Sequence, residues 1–375
     1  MGAFRAFVLI FLLLVPLCKI AKATDSRRDY SNNRSSQQVG SPSSVLVLHD
    51  AIWIGGENGL LNIRDNTKIE FDLNGSEEES NWVTDLNRLD KNHILISVFG
   101  NAIFVLNIES LEVEKIKTGE LTRKGFWKAS VGSEVFAVST LNDIYVFEKA
   151  NRNFDFSFVE KGIKVGSRVV DLVVDSADEK IWWIDSEQGL YSYSLRTEKW
   201  GPVELGVEGE FEYFSLKQSD GALFIGTDSG LIILDVSKQE SRLITQRVDT
   251  PNNVQPVRTV LQSKDGTIWV AAETLYTLDV ESQKFVTNGF LNSSLNEESL
   301  LIITDMDEDQ HGNIFATDTV DGLVAFSNLT SATEIIGDIP VDKKFIQLVA
   351  TKSPPRIIVE YSDFCLLYTY DAADE

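Results

Sequence analysis

The sequence is poor in the residues that build most reactive centres. Of 375 residues, two are cysteine and three are histidine. Cys18 lies in an N-terminal apolar run and Cys365 lies close to the C-terminus, so the stretch from Thr24 to Phe364 has no cysteine. That excludes a disulfide framework, a thiolate zinc site and a thiol nucleophile from the body of the chain. His49, His93 and His311 are isolated from one another, with no spacing that suggests a metal pair or a general base beside a nucleophile. Helical periodicity is missing too: after residue 24 no window sustains apolar residues at i, i+3 and i+4. Positive charge is scarce, with 34 Lys and Arg against 57 Asp and Glu, a net charge of −23. Such acidity argues against nucleic acid and anionic lipid as partners, and mildly against polyanionic glycans. Its plain meaning is solubility.

What the chain does have is one short pattern repeated eight times. Its clearest copy is Asp265-Gly266-Thr267-Ile268-Trp269-Val270. The apolar pair recurs as Ile52-Trp53, Ile94-Leu95, Val135-Phe136, Ile181-Trp182, Leu223-Phe224, Ile268-Trp269, Ile314-Phe315 and Ile357-Ile358. The mean period is about 44 residues, the spacing of four-stranded propeller blades. Within each copy an alternating run is followed by a tight turn, the Trp/Phe strand, a polar break often ending in Gly-Leu, a third strand and a weaker fourth. Alternation bounded by Gly, Asp and Asn reads as short antiparallel strands. A β-sandwich would not repeat a whole four-strand unit. The expected fold is therefore an all-β propeller: seven four-stranded blades over residues 44–339, then the start of an eighth repeat over 340–364 that opens a second propeller. That last blade is expected to carry an inner strand at 344–350 and the next at 356–361.

Two motifs carry a family resemblance. Ile52-Trp53-Ile54-Gly55-Gly56-Glu57-Asn58-Gly59-Leu60 and Leu223-Phe224-Ile225-Gly226-Thr227-Asp228-Ser229-Gly230-Leu231 resemble the two-component regulator propeller repeat. The resemblance runs from residue 44 to 364. Copies two, three and six depart from it, with Ala102-Ile103, Asp143-Ile144 and Thr274-Leu275 in place of Gly-Leu. It implies the extracytoplasmic sensor region of a membrane regulator, whose output is a histidine kinase or diguanylate cyclase module. Many relatives of that kind sense glycan fragments. None of that output machinery falls within these 375 residues.

The ends of the chain read differently. Arg5, the apolar run Ala6 to Leu17 and the small-x-small site Ala21-Lys22-Ala23 form a secretory signal over residues 1–23. An uncleaved anchor and a lipoprotein at Cys18 are the alternatives. Residues 24–43 are rich in Ser, Asn, Gln and Arg and read as a disordered tether. Residues 365–375 resemble a translated sequencing adaptor, differing from the usual readthrough at Tyr370, so the chain is expected to continue beyond Phe364 in the native gene. The alternative is a natural strand finishing the last blade. An exported, periplasmic location follows, with any homodimer forming through domains outside this chain.

For function, topology is the useful guide. If each blade runs from inner to outer strand, the turns before the Trp strand lie on one face. The breaks after that strand and the links between blades gather on the other. The links are longer and more varied, and Trp82, Trp127, Arg168 and Tyr213 stand at or near their ends. Planar aromatics beside polar groups hold sugars by apolar stacking and hydrogen bonds. These four residues are the candidate ligand-binding set, for a small neutral or weakly charged ligand such as an oligosaccharide. The competing assignment is that they cap blade cores. Trp53, Trp182 and Trp269 share one register and are expected to pack between blades. No catalytic residue, metal or cofactor is expected. Asp305, Asp307, Asp309 and Gly312 resemble a short calcium loop, but Gln310 stands where an EF-hand has its glycine. A protein-interaction propeller and, further off, a propeller lyase or glycosidase remain the alternative functions, since the fold hosts all three.

Overall fold

The computed structural model describes residues 39, 41–49, 51–63, 67–71, 80–116, 125–149, 157–165, 168–248, 256–287, 302–318, 322–326, 333–335, 345–352, 355–361 and 364–369. The secretory signal, most of the 24–43 tether and much of the links at 72–79, 117–124, 249–255 and 288–301 lie outside the described residues. Among the described residues every regular element is a strand.

The strands form consecutive antiparallel sheets, numbered here as blades. Blade 1 is β1 (Pro42–Leu48), β2 (Ala51–Gly56), β3 (Gly59–Asn62) and β4 (Thr67–Ile69). Blade 2 is β5 (Val83–Arg88), β6 (His93–Val98), β7 (Ile103–Asn107) and β8 (Val113–Lys115). Blade 3 is β9 (Phe126–Val131), β10 (Val135–Thr140), β11 (Asp143–Glu148) and β12 (Ser157–Lys164). Blade 4 is β13 (Val169–Asp175), β14 (Lys180–Asp185), β15 (Gly189–Ser194) and β16 (Lys199–Pro202). Blade 5 is β17 (Tyr213–Ser219), β18 (Ala222–Thr227), β19 (Gly230–Asp235) and β20 (Glu240–Ile244). Blade 6 is β21 (Thr259–Gln262), β22 (Ile268–Ala271), β23 (Leu275–Asp279) and β24 (Lys284–Thr287). Blade 7 is β25 (Ile303–Glu308), β26 (Ile314–Asp318), β27 (Gly322–Phe326) and β28 (Thr333–Ile335). A three-stranded sheet follows: β29 (Phe345–Lys352), β30 (Pro355–Tyr361) and β31 (Phe364–Thr369). The protein is an all-β propeller. β29 and β30 fall within two residues of the strands expected there. β31 takes in five residues of the adaptor-like segment, paired with β30.

The first strand of each blade is the inner one. Inner strands lie against one another in the order β1, β5, β9, β13, β17, β21 and β25, and β25 lies against β1. Between each neighbouring pair sits a separate apolar core. Trp53 and Leu60 of blade 1 meet Leu86 and Ile94 of blade 2. Trp182 of blade 4 meets Leu216 and Leu223 of blade 5, and Trp269 of blade 6 meets Ile303 and Met306 of blade 7. Phe315 and Leu323 of blade 7 meet Val45 and Ile54 of blade 1. The three tryptophans are 1%, 4% and 6% exposed and all face the following blade, as their shared register requires.

Two details differ from the sequence reading. Val39 is buried in the core between blades 7 and 1, and its carbonyl accepts the Asn58 amide at 2.8 Å. β1 starts at Pro42, so the propeller begins before residue 44, with the apolar Val39 side chain held in that core. In blade 3 the repeat aligns on Phe136-Ala137 rather than Val135-Phe136. Phe136 faces back into the core with Leu95, while Ala137 faces forward with blade 4. A one-residue slip reverses the face of every side chain.

The glycines of the Ile-Gly motif have a packing reason. A Cβ on Gly226 would lie 2.5 Å from the Val257 carbonyl oxygen at the start of blade 6. Only glycine lets the next blade come that close.

Candidate functional site at the channel mouth

The inner strand of a blade has one edge that its own sheet leaves unpaired, and the amides of that edge meet side chains of the preceding blade. Unpaired strand edges need partners. Here polar side chains of the preceding blade supply them. The Asp85 carboxylate accepts the Ala129 amide at 2.8 Å, and Asp171 accepts the Leu216 amide at 2.9 Å. Ser130 Oγ accepts the Val174 amide at 2.9 Å. Asp305 Oδ2 accepts both the Val45 amide at 3.2 Å and the Ser44 hydroxyl at 2.7 Å, while Ser44 Oγ accepts the Leu86 amide at 3.2 Å. Asp307 Oδ2 accepts the Val47 amide at 2.6 Å. Blades 7, 1 and 2 are thus joined in one chain of hydrogen bonds. This is the use to which Asp305 and Asp307 are put in place of a calcium loop. Asp309 meanwhile caps the following turn through the His311 and Asn313 amides, each at 2.8 Å.

Two lysines balance these acids. Lys128 Nζ is 3.4 Å from Asp85, and Lys217 Nζ of blade 5 reaches to 3.9 Å from Asp305 of blade 7. Burial alone would lower both ammonium pKa values. The carboxylates around them outweigh it, Asp85 foremost for Lys128 and Asp305 for Lys217, and hold both above the ordinary lysine value. Burial raises the Asp85 carboxyl, against the pull of Lys128.

Asp307 is a second seam acid whose carboxyl is raised. Burial, with the Asp305 charge adding to it, pushes its carboxyl up to about 6, although the Val47 and Glu308 amides and Arg88 pull the other way. A carboxyl whose folded pKa is raised stabilises the fold most below its unfolded value and loses that contribution as pH rises to about 6. Asp307→Asn keeps an acceptor for Val47 and removes the titration. Its stability relative to the parent is expected to improve by roughly 1–3 kcal/mol between pH 4 and pH 7. Urea denaturation of both proteins across that range checks this; a constant difference contradicts it.

Above this layer the inner strands carry β-bulges. The pairing with the second strand slips between Pro42 and Ser44, Val83 and Asp85, Val169 and Asp171, Tyr213 and Ser215, and Ile303 and Asp305. In blade 3, Trp127 and Lys128 lie between the residues paired with Thr140 and Val138. Bulges re-aim a side chain beside a site. The bulge residues are Ser43, Thr84, Trp127, Val170, Phe214 and Thr304, with Arg258 just ahead of β21 in blade 6. They divide the mouth in two. In blades 7, 1 and 2 the hydroxyls of Thr304, Ser43 and Thr84 donate to carbonyls of the next inner strand: Pro42, Val83 and Phe126. In blades 3 to 6 the same layer holds Trp127, Val170, Phe214 and Arg258.

The four sequence-selected residues all lie on this face. Repeated backbone bonds put them there, each joining the break after the second strand to the residue ahead of the inner strand: Phe99 to Trp82 at 2.9 Å, Ser186 to Arg168 at 2.8 Å. Trp82 packs against Phe99 at 5.3 Å and edge-on to Trp127 at 5.7 Å. The Arg168 guanidinium carbon lies 4.9 Å from the Trp127 ring centroid. Blades 2, 3 and 4 therefore bring Trp82, Trp127 and Arg168 into one cluster. The indoles pack on each other rather than standing apart as separate platforms. Tyr213 is set apart from that cluster. It packs with Phe211 at 6.3 Å, and a side chain on Gly189 would meet its hydroxyl. Burial, then the nearby Asp228 charge, raises the Tyr213 phenol pKa.

Sequence reasoning missed Phe99, Phe214 and Arg258. Arg258 lies 5.7 Å over the Phe214 ring. The available signal was an arginine inside the apolar run Val257 to Leu261. Among the described residues no group of three or more His, Cys, Asp or Glu side chains is arranged to hold a metal ion.

No family model and no curated protein matches the sequence. Solved structures do match. Two structures of the extracellular domain of BT4673 from B. thetaiotaomicron, described as a hybrid two-component system and as a one-component system, align with 90% of this chain. Their TM-scores are 0.57 and 0.58 at 16% identity, and the chain spans 45% of their length. The computationally designed protein Ika8 aligns over 90% of this chain and 98% of its own, with a TM-score of 0.56 at 12% identity. At these identities the likeness shows the β-propeller fold, and two of these neighbours are extracellular domains of the kind the repeat resemblance implies.

Proposed function

We propose that this chain is the exported, ligand-sensing propeller region of a membrane-bound signalling regulator of the two-component histidine kinase or diguanylate cyclase type. Residues 44–339 form a closed ring of seven blades on this reading, and 340–364 open a further one. Support for closure comes from the return of β25 to β1 and the core shared by blades 7 and 1. The fold likeness to the extracellular domain of BT4673, described both as a hybrid two-component system and as a one-component system, supports the sensor assignment. The ligand is a small, weakly charged molecule such as an oligosaccharide, bound on the link face by Trp82, Trp127 and Arg168, with Tyr213 on the far rim. The observation that carries this is the cluster of half-buried rings around an exposed arginine at the mouth. Aromatic bodies with polar edges suit sugar faces and hydroxyls.

A non-catalytic role fits the chemistry of the centre. Asp85, Asp171 and Asp305 each accept backbone amides with a carboxylate oxygen, which leaves poor general acids or bases. Binding would signal only through unequal affinity for two states of the whole receptor.

Calorimetry of the full chain against a glycan panel tests the reading. Trp82→Ala, Trp127→Ala and Arg168→Ala together are expected to abolish binding; undiminished affinity in the triple variant rejects the site.

A further inference from the structure

Two arginines stand out in so acidic a chain. Arg168 of blade 4 lies over the bulge aromatic of blade 3, Trp127, and Arg258 of blade 6 lies over the bulge aromatic of blade 5, Phe214. The same device occurs twice, two blades apart, on the side of the mouth that lacks the hydroxyl bridges. Neither guanidinium has a carboxylate partner among the described residues. Arg196, by contrast, pairs with Glu179 at 2.9 Å.

A guanidinium over a ring face is held by the ring quadrupole, an attraction that does not use up its N–H donors. Those donors match the two oxygens of a carboxylate or sulfate. We propose that the mouth ligand carries an acidic group, carboxylate or sulfate, recognised by Arg168 and Arg258. This rests on the ligand-sensing reading above and narrows it. The rim is not uniformly positive: Glu212 and Asp228 share it, joined by the Glu212 amide donating to Asp228 Oδ1 at 3.0 Å. A ligand with one or two acidic groups satisfies both features, and a dense polyanion does not.

The test titrates the full chain calorimetrically with three tetrasaccharides of one length: neutral galactose, galacturonic acid and sulfated galactose. An acidic probe is expected to bind at least about tenfold more tightly than the neutral one, and more weakly as salt rises. The acidic probe that binds identifies the anion. Arg168→Gln and Arg258→Gln should each weaken that probe about tenfold and narrow its advantage over the neutral one, while Arg196→Gln alters neither affinity. Thermal melts within about 3 °C of the parent show that the variants are folded. Equal affinity for neutral and acidic probes, or acidic binding untouched by both variants, overturns the acidic assignment and leaves ligand sensing standing. No binding of any probe by folded protein overturns both.

Discussion

Asp305→Ala is expected to destabilise the protein by roughly 3–5 kcal/mol, the range for removing one partner of a buried charged network. The residue is 8% exposed, and its carboxylate bridges blade 7 to blade 1. Oδ2 receives the Val45 amide and the Ser44 hydroxyl from blade 1, and Oδ1 receives the Met306 amide at 3.0 Å. Lys217 reaches toward it from blade 5. Alanine leaves a strand-edge amide and a hydroxyl in a site where little else can accept, each worth about 1–3 kcal/mol. It also takes away one of three carboxylates that offset Lys128 and Lys217. Asp305→Asn retains one acceptor oxygen and should lose about half as much. Urea denaturation gives the totals. Hydrogen exchange at Val45 locates the damage, since opening there should rise before the rest of the fold is affected. A loss below about 1 kcal/mol for the alanine variant would mean that the apolar core alone holds the seam.

Trp53→Ala should cost roughly 3–5 kcal/mol, through lost burial and the cavity left behind. Its ring fills the space between blades 1 and 2, against Leu86 and Ile94. Trp53→Phe is the informative companion. Among the described residues the buried indole Nε1 has no hydrogen-bond partner, and the same holds for Trp182. An orphan donor carries its own desolvation cost, and phenylalanine removes it along with part of the volume. Phe224 and Phe315 already occupy the equivalent position in blades 5 and 7. The phenylalanine variant is therefore expected to lose at most about half of what alanine loses. Equal losses would show that the second indole ring, and not the core as a whole, sets the packing.

The period of about 44 was enough to place the blades and the burial of the tryptophans, because strand alternation and turn chemistry are local. Copy three was misaligned for a physical reason. The forward-facing position there is Ala137, which has no bulk to announce it, and Trp183, Tyr191 and Tyr193 of blade 4 fill the shared core from the other side. Volume was conserved across the interface and not within the repeat. The polar seam was equally hidden: Asp305 finds its partners about 260 residues away, at the far end of the chain. At the mouth, Trp82 and Trp127 were visible as aromatics beside strand starts. Arg258 looked like an ordinary strand residue until the neighbouring blade set Phe214 beneath it.

Each blade is woven from consecutive strands, and the junction of last and first blades is made as the others are, by side chains laid on a bare strand edge. Among the described residues no sheet is shared across that junction, so its bonds are of the same chemical kind as those between the other blades. A permutant of blades 1 to 7 that starts at blade 2 and joins blade 7 to blade 1 through a short linker is expected to keep the bonds of Val45 to Asp305 and of Leu86 to Ser44, since neither depends on which blade comes first in the chain.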